Sequence, residues 1–198
     1  MIMKNETHYA LGLSIGNNFR ASGIKSVETE DFVVGLTDAL SGATPRISYE
    51  QAQTLLRTLF SELKAQEGAI NRAAGDEYRS ILAKKSGVTV LPNGILYEVI
   101  KSGTGAKPTA QSSVRVHYHG TLINGVVFDS SVERGTPAEF PLSGVIAGWT
   151  YILQQMSVGS KWRVVFPPEL AYGERGAGDA IGPNMTLIFE IELLGIVD

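Results

Sequence analysis

The first candidate for chemistry is a serine near the start of the chain. Residues 12–16 read GLSIG and match the G-x-S-x-G pattern of serine hydrolases. That pattern needs a buried strand before the serine and a histidine brought close to it. The residues around Ser14 instead have helical spacing. We therefore expect small side chains suited to close helix packing and not a nucleophile.

Two pairs of ionisable side chains lie on predicted strands. His117 and His119 share a strand face and could both reach a metal, but a stable site needs three or four ligands and none is close in sequence. Glu190 and Glu192 share a face like paired catalytic carboxylates, yet on the polar side of an alternating strand. We interpret both pairs as solvent-facing side chains. The sequence predicts neither a metal site nor a bound cofactor.

A glycine-rich segment has the composition of a phosphate-binding loop but not its spacing. Its glycines are Gly173, Gly176, Gly178 and Gly182. The spacing fits neither G-x-G-x-x-G nor the P-loop, and no Lys-Ser or Lys-Thr pair follows. We interpret the segment as a long loop at the rim of a pocket.

Composition excludes several classes of protein and partner. The 198 residues include no cysteine, so a disulfide, a thiolate nucleophile and a cysteine-ligated metal are ruled out. The net charge is -3 and no long basic run occurs, so nucleic acid is not an expected partner. No apolar run reaches the length of a signal peptide or a membrane span, which predicts no membrane partner and a cytoplasmic location. A periplasmic or exported location stays open if a signal was removed.

The architecture changes near Gly87, where a helical half gives way to strands and turns. Seven of the eight prolines and fourteen of the 22 glycines lie after that residue. Before it, apolar residues recur at steps of three and four, the period of one helix face. This pattern predicts short helices over about 7–19 and 29–40 and a much longer helix over about 48–85.

The long helix has a clear start, and its middle contains two glycines that favour a break or a bend. Ser48 and Gln51 form a capping box that marks its first turn. At 1.5 Å per residue the helix would be about 55 Å long, which is longer than a small domain is wide. Gly68 and Gly75 each cost about 1 kcal/mol relative to alanine, so a break or bend over 66–76 stays open.

The helical half cannot close a core of its own. Two short helices and a protruding rod leave apolar faces that another surface must cover. We expect that surface to be a second copy of the chain, giving a homodimer through residues 1–60. The alternative is that these helices fold back on the second half of the chain.

From Val88 the apolar pattern has a period of two, typical of strands with one buried face. Predicted strands cover 95–101, 114–121, 126–129, 161–166 and 187–194. Only one short helix fits among them, over about 145–155. The predicted fold class is therefore α+β, with an antiparallel sheet and a short helix packed across one face, preceded by an all-helical N-terminal region.

Five ordered sequence blocks in the second half carry a resemblance to a known family. They are VHYHGTL at 116–122, VFDSS at 127–131, VIAGW at 145–149, FPPELAYG at 166–173 and LIFEIEL at 187–193. In order and spacing they resemble the FK506-binding proteins (FKBP), a family of peptidyl-prolyl cis-trans isomerases. The helical half resembles the dimerising extension of the macrophage-infectivity-potentiator branch. The expected regions are a helical dimerisation region over 1–47, a long connecting helix over 48–87 and an FKBP-like isomerase domain over 88–198.

The resemblance implies an aromatic pocket, between the sheet and the short helix, that binds a prolyl peptide. Trp149 would form the floor, while Tyr118, Phe128, Phe140, Val145, Ile146 and Phe189 would form the walls and Asp129, Tyr172 and Ile181 the rim. Catalytic roles are implied for Tyr118, Phe128, Asp129, Tyr172 and Phe189, and substrate-binding roles for Phe140, Val145, Ile146, Trp149 and Ile181. The Ile146 N–H and the Tyr172 hydroxyl would bond carbonyls of the bound chain.

Asp129 is the charged member of this implied set. A carboxylate directly after Phe128 in a strand needs a partner if it is buried. We expect it to order the Tyr172 side of the pocket or to stabilise the substrate's carbonyl carbon.

The implied activity is rotation of X-Pro bonds in unfolded or partly folded proteins, which breaks no covalent bond and needs no cofactor. The dimeric helical half would aid client binding, and FK506/rapamycin-type macrolides are further expected ligands. The alternative is a prolyl-peptide-binding chaperone or scaffold with little catalysis. Family members more often carry proline at the position of Gly182 and a bulkier apolar residue at Ala180. A looser rim is therefore expected, with consequences for substrate preference and macrolide affinity.

Overall fold

The structure, a computed structural model, describes residues 5–197. Residues 1–4 of the expected dimerisation region and Asp198 at the other end lie outside the described part. Two compact units divide between Glu67 and Gly68. Three helices come first, α1 (Glu6–Ala21), α2 (Thr29–Ser41) and α3 (Tyr49–Leu82). The prediction of an all-helical N-terminal region that ends in a long helix is confirmed.

The two short helices have well-defined ends but no interior. The Asn5 side chain caps α1 by accepting a 3.1 Å hydrogen bond from the His8 N–H. Gly42 ends α2 in the left-handed conformation, with φ 69°. The rings of Phe19 and Phe32 meet edge to face at 5.4 Å and join the two helices. No residue of α1 or α2 is buried, so these helices have almost no core of their own.

Helix α3 begins with the predicted capping box. The Ser48 hydroxyl accepts from the Gln51 N–H at 3.1 Å, and the Gln51 side chain accepts from the Ser48 N–H at 3.0 Å. The helix then runs unbroken for 34 residues, or about 51 Å at 1.5 Å per residue. The break left open around Gly68 and Gly75 does not occur.

The glycines of α3 lie on its buried face. A side chain at Gly68 would meet Pro183 at 3.4 Å, and one at Gly75 would lie 3.0 Å from the Thr186 Cβ. Both positions allow the chain before the last strand to lie directly on the helix. They serve close packing and not bending.

The second unit contains an antiparallel sheet of seven strands. The strands are β1 (Val88–Val90), β2 (Leu96–Lys101), β3 (Ser113–Leu122), β4 (Val127–Ser130), β5 (Ala138–Pro141), β6 (Lys161–Phe166) and β7 (Leu187–Ile196). Their order is β1-β2-β6-β7-β3-β4, and β5 pairs with the other end of β3. Five strands match predicted ones. The sequence patterns missed β1 and β5, because three or four residues are too few to show a period of two.

Helix α4 (Ala147–Leu153) packs across one face of the sheet and is shorter than the predicted 145–155. It buries Trp149, Ile152 and Leu153 against strand residues such as Val116 and Ile191, which are fully buried. The α+β fold class, with an antiparallel sheet around a short helix, is confirmed.

The other face of the sheet is also partly buried, which the alternating pattern did not predict. Leu96, Val165 and Ile188 form a second small core that packs against Tyr78 and Leu82 of α3. By alternation, Ile188 shares the strand face of Glu190 and Glu192, which the sequence pattern predicts to be the polar one. The alternation was misleading for Ile188 because the residues that bury it belong to α3, about a hundred residues earlier in the sequence.

Replacing Gly75 by alanine tests the packing of α3 on the last strand. Helix propensity alone favours alanine by about 1 kcal/mol. The new methyl group would crowd Thr186, and overpacking costs about 1–3 kcal/mol. We expect Gly75→Ala to lower the free energy of unfolding, measured by urea titration of tryptophan fluorescence.

Gly195→Ala is the matched control in the same unit, because no atom lies within 4 Å of the added methyl group. We expect that variant to unfold like the wild type. A stabilised Gly75→Ala protein would show that α3 does not approach Thr186 as closely as the structure has it.

Candidate active site

A pocket of about 610 Å³ opens between α4 and the sheet. All ten residues implied by the resemblance line it. Tyr118 comes from β3, Phe128 and Asp129 from β4, Phe140 from β5, Trp149 from α4 and Phe189 from β7, while Val145, Ile146, Tyr172 and Ile181 come from loops. Gly144, Ala177, Gly178, Asp179 and Ala180 also line it and were not predicted as site residues. The glycine-rich segment therefore does rim a pocket.

The Trp149 indole lies at the centre of the aromatic set. Its ring meets Tyr118 and Phe189 edge to face at 5.3 Å each, and Phe140 at 5.9 Å. Edge-to-face pairs contribute about 0.5–1.5 kcal/mol each beyond area burial. The indole is therefore held on several sides. Its Nε1 is buried and finds no hydrogen-bond partner within residues 5–197.

Gly120 makes room for a second ring pair on the sheet. It lies opposite both Asp129 of β4 and Phe189 of β7. A Cβ at this position would lie 2.6 Å from the Phe128 ring and 3.0 Å from Phe189. Without a side chain there, Phe128 and Phe189 meet edge to face at 5.3 Å. Phe128 can therefore line the pocket beside the floor.

The Asp129 carboxylate is bound by two donors at the pocket wall. It accepts a hydrogen bond from the Tyr118 hydroxyl and forms an ion pair with Arg134. Arg134 also donates to the Tyr118 hydroxyl at 2.8 Å. The expected ordering role toward Tyr172 is not seen, because the partners of Asp129 are Tyr118 and Arg134.

The three groups shift one another's pKa. Burial alone would raise the pKa of Asp129, but the bonds from Tyr118 and Arg134 and the positive charge of Arg134 outweigh it, so the pKa falls below 3.8. Burial raises the pKa of Tyr118, and its bond to Asp129 raises it further. Asp129 is thus a carboxylate and Tyr118 a neutral phenol at neutral pH.

Sequence reasoning missed Arg134. In the sequence, the Arg134-Gly135 pair indicates only a turn between strands. The available signal was a cation, Arg134, five residues after Asp129 and across the turn that follows β4. Its guanidinium lies 5.6 Å from the centre of the Tyr118 ring, so it contacts the pocket wall as well as the carboxylate.

The other candidate groups are not brought together. Ser14 lies exposed in the middle of α1, so the hydrolase turn is absent. His117 and His119 share hydrogen bonds with Ser131 and Ser130 at 3.1 and 3.0 Å. Across residues 5–197 no cluster of three metal-ligating side chains is found.

The glutamate pair of β7 is also accounted for by the sheet surface. Glu190 pairs with Lys161 at 2.9 Å, and Glu192 lies 3.9 Å from Lys101. Both carboxylates are partly exposed. They belong to a solvated sheet face and not to the pocket.

Comparison with known proteins identifies the family. The family model "FKBP-type peptidyl-prolyl cis-trans isomerase" matches residues 104–194, and the model of the domain amino terminal to it matches residues 4–99. The FKBP-type 22 kDa peptidyl-prolyl cis-trans isomerase of Escherichia coli (strain K12) is 45% identical over 97% of this chain and 95% of that protein. The chain belongs to the FKBP-type peptidyl-prolyl cis-trans isomerases. The predicted enzyme class, acting on X-Pro bonds, is confirmed.

Further relatives match over nearly the whole length. The outer membrane protein MIP of Legionella longbeachae is 42% identical over 98% of this chain and 85% of that protein. The crystal structure of FkpA from Escherichia coli matches with a TM-score of 0.71 at 35% identity, covering 98% of each chain. Both halves of the resemblance, including the macrophage-infectivity-potentiator-like branch, are confirmed.

The comparisons do not support the cytoplasmic expectation, because one relative is named an outer membrane protein. None of the helices within residues 5–197 has a stretch long and apolar enough to span a bilayer.

The lowered pKa of Asp129 makes stability depend on pH with a definite sign. Its stabilising effect is complete above the ordinary value of 3.8 and is lost as the pH falls through the lower folded value. We expect the wild type to lose more unfolding free energy than Asp129→Asn between about pH 5 and about pH 2. Urea titrations at several pH values measure this difference.

Asp179→Asn is the control, because Asp179 is an exposed aspartate that also lines the pocket. We expect it to follow the wild-type pH profile. Equal acid sensitivity of the wild type and Asp129→Asn would contradict the bound carboxylate.

Proposed function

We propose that this pocket is the site of X-Pro isomerisation and that the ten lining residues implied by the resemblance have the roles that it gives them. The observation that carries the proposal is the Trp149 floor surrounded by Tyr118, Phe140 and Phe189. The apolar face of an indole suits the apolar pyrrolidine ring of proline. The pocket residues supply no nucleophile and need none, because the reaction is a rotation.

Catalysis follows from the polarity of the reacting amide. The planar ground state has charge separation along the C–N bond, and twisting removes amide resonance. A pocket of low polarity penalises the planar state more than the twisted one, which lowers the barrier. Shortening the isomerisation time from about 100 s to about 10 ms is a rate enhancement of about 10⁴, which corresponds to lowering the barrier by about 5.5 kcal/mol. Several burial and hydrogen-bond contributions together can supply that amount.

Two donors are proposed to orient the bound chain. The Ile146 N–H, at the start of α4, has no acceptor within residues 5–197, so it is free to bond a substrate carbonyl. The Tyr172 side chain is partly exposed at the pocket mouth, where its hydroxyl can reach a second carbonyl. Each such bond contributes about 0.5–1.5 kcal/mol net.

Asp129 is proposed to act through its fixed negative charge. Tyr118 and Arg134 hold it ionised at the wall of the pocket. A carboxylate there can stabilise the partial positive charge on the carbonyl carbon of the twisting amide. The same contact orients the Tyr118 ring, whose edge-to-face contact supports the Trp149 floor.

A peptide assay tests the site. We expect Asp129→Ala and Tyr172→Ala each to lower kcat/KM on a short X-Pro peptide by about tenfold, the loss of about one strong hydrogen bond. Rates are measured by protease coupling or by NMR exchange. An FK506-type macrolide is expected to compete with the peptide.

Tyr151→Ala is the matched control. Tyr151 and Tyr172 are 41% and 40% exposed, but only Tyr172 lines the pocket. We expect Tyr151→Ala to retain wild-type activity. Unchanged rates in both pocket variants would place catalysis elsewhere, and no acceleration by the wild type would favour a binding function.

Macrolides of the FK506/rapamycin type are proposed as further ligands of the same pocket. Its floor offers a large apolar surface, and its mouth offers the Ile146 N–H and the Tyr172 hydroxyl as donors. Ala180 and Gly182 leave the rim with less bulk than most family members have, so affinity depends mainly on the floor.

Three regions of the chain are proposed to have separate roles. Residues 1–47 would dimerise, residues 48–87 would form the connecting helix and residues 88–198 would catalyse isomerisation. A periplasmic or exported location, which the sequence left open, is proposed in place of the cytoplasmic one. The name of the Legionella longbeachae relative, an outer membrane protein, supports it.

A second copy of the chain is proposed to cover the apolar helices through residues 1–60. No residue of α1 or α2 is buried. Large apolar side chains are exposed on all three helices, among them Leu13, Val33, Leu40, Leu55, Leu56 and Phe60. An apolar surface of this extent marks an interaction site. A symmetric dimer covers it with the same surface of a second copy.

Dimerisation is proposed to aid the binding of clients. Two isomerase sites in one molecule can engage two segments of the same unfolded protein, which raises the effective concentration for the second contact. The pocket itself gains no new interaction. Proline-containing, partly folded proteins are therefore the proposed physiological substrates.

Leu56→Glu tests the dimer. Leu56 is 51% exposed on α3, and a charge there would be buried unpaired in the interface, which is strongly unfavourable. We expect the molar mass from light scattering to fall from twice 21.3 kDa to 21.3 kDa. Refolding of a proline-limited protein should slow by about tenfold while peptide turnover is unchanged.

Ser61→Glu is the matched control, because Ser61 is exposed on the opposite side of α3. We expect that variant to stay dimeric. A monomeric wild type, or a dimeric Leu56→Glu protein, would contradict the proposed interface.

A further inference from the structure

One arginine of α3 joins both ends of the loop that carries the pocket rim. We call residues 171–185 the rim loop. The Arg72 guanidinium pairs through NH1 with Glu169, just before the rim loop. Through NH2 it donates a 3.1 Å hydrogen bond to the Asn184 side chain, near the end of the loop. A single planar group therefore contacts the chain on both sides of the loop.

The two contacts lie where the chain segments around Gly173 and Asn184 come together, which we call the neck of the rim loop. The Asn184 N–H donates to the Gly173 carbonyl at 2.8 Å, and the Gly173 N–H donates to the Pro168 carbonyl at 2.9 Å. Asn184 is the one non-glycine residue within 5–197 with a positive φ, at 54°. Its side chain, fixed by Arg72, helps to hold that less favourable conformation.

Neighbouring residues of α3 support the same neck. The Asn71 side chain donates to the Pro183 carbonyl at 2.9 Å. Gly68 leaves room for Pro183 to lie against the helix. The end of the rim loop is therefore bound to α3 along about one helical turn.

The tip of the rim loop has little rigidity of its own. It contains three glycines, Gly176, Gly178 and Gly182, and its internal ladder consists of the pair Ala177–Ile181, bonded at 2.8 and 3.2 Å. Of the residues that line the pocket, Tyr172 directly precedes Gly173 at the neck and Ile181 lies three residues before Asn184. Their positions therefore depend on how firmly the neck is held.

We infer that Arg72 is a positioning residue that fixes the Tyr172 and Ile181 side of the pocket through Glu169 and Asn184. The inference rests on the proposed role of the pocket as the substrate site. The Arg72 and Glu169 side chains are 41% and 55% exposed, and exposed pairs contribute little to stability. The two-pronged geometry is what matters, because a guanidinium can hold two acceptors in fixed relative positions and an ammonium cannot.

The experiment compares wild type, Arg72→Gln and Arg72→Lys in the full chain. We expect Arg72→Gln to raise amide hydrogen exchange in residues 173–184 selectively and to raise KM for an X-Pro peptide about fivefold, with kcat within about twofold. The thermal midpoint should move by no more than about 4 °C. Arg72→Lys, which keeps only the contact with Glu169, should recover part of the KM effect.

Lys161→Gln is the control, since it removes another partly exposed ion pair, with Glu190, away from the pocket. We expect its exchange and kinetics to match the wild type. Unchanged exchange in the rim loop of Arg72→Gln would overturn the inference, and so would equal acceleration throughout the sheet. An inactive wild type would refute the pocket assignment, while the exchange comparison would still decide the role of Arg72.

Discussion

The burial of Trp149 between α4 and the sheet is the constraint on which the isomerase unit depends. Helix α4 has only seven residues and cannot cover the whole inner face of the sheet. The aromatic rings beside Trp149 are therefore part of the core on one side and the wall of a pocket on the other. The pocket is the uncovered part of the core. Its lining is consequently mostly aromatic and aliphatic, which is the property that the proposed rotation about a prolyl bond requires.

A charge in such a wall has to be bound from within the protein. Tyr118 and Arg134 supply two donors to Asp129, and the favourable contacts outweigh the cost of burial, so the carboxylate stays ionised. The Tyr118 ring packs on Trp149 while its hydroxyl bonds Asp129. Packing and electrostatics therefore meet in one side chain, and a change in either alters the geometry of the floor.

The sequence predicted features that depend on neighbours along the chain. The capping box at Ser48 and the period-two strands are local patterns, and the structure has both. Eight of the ten predicted pocket residues lie in the family's ordered blocks, and Phe140 and Ile181 were added by the resemblance as a whole, since each aromatic residue alone would read as core. The bond between Arg134 and Asp129 is also local, and its signal was overlooked. Contacts made across the fold were not accessible, among them the cover of Ile188 by α3 and the bonds of Arg72 to Glu169 and Asn184. These depend on where a helix or a turn comes to lie, which periodicity does not encode.

Helix α3 unites two demands that its sequence has to satisfy at once. Its first half exposes leucines and phenylalanine, whereas Gly68 and Gly75 in its second half remove side chains where loop and strand approach. Glycine lowers helix propensity, and the cost is about 1 kcal/mol at each position. Because the chain before β7 lies close to α3 at these glycines, Arg72 can reach both Glu169 and Asn184. These contacts offset the helix propensity that the glycines lose. The base of the rim loop is thus bound to α3, whereas its glycine-rich tip is paired at Ala177 and Ile181, so in the proposed substrate site the residues that fix the loop differ from those at its tip.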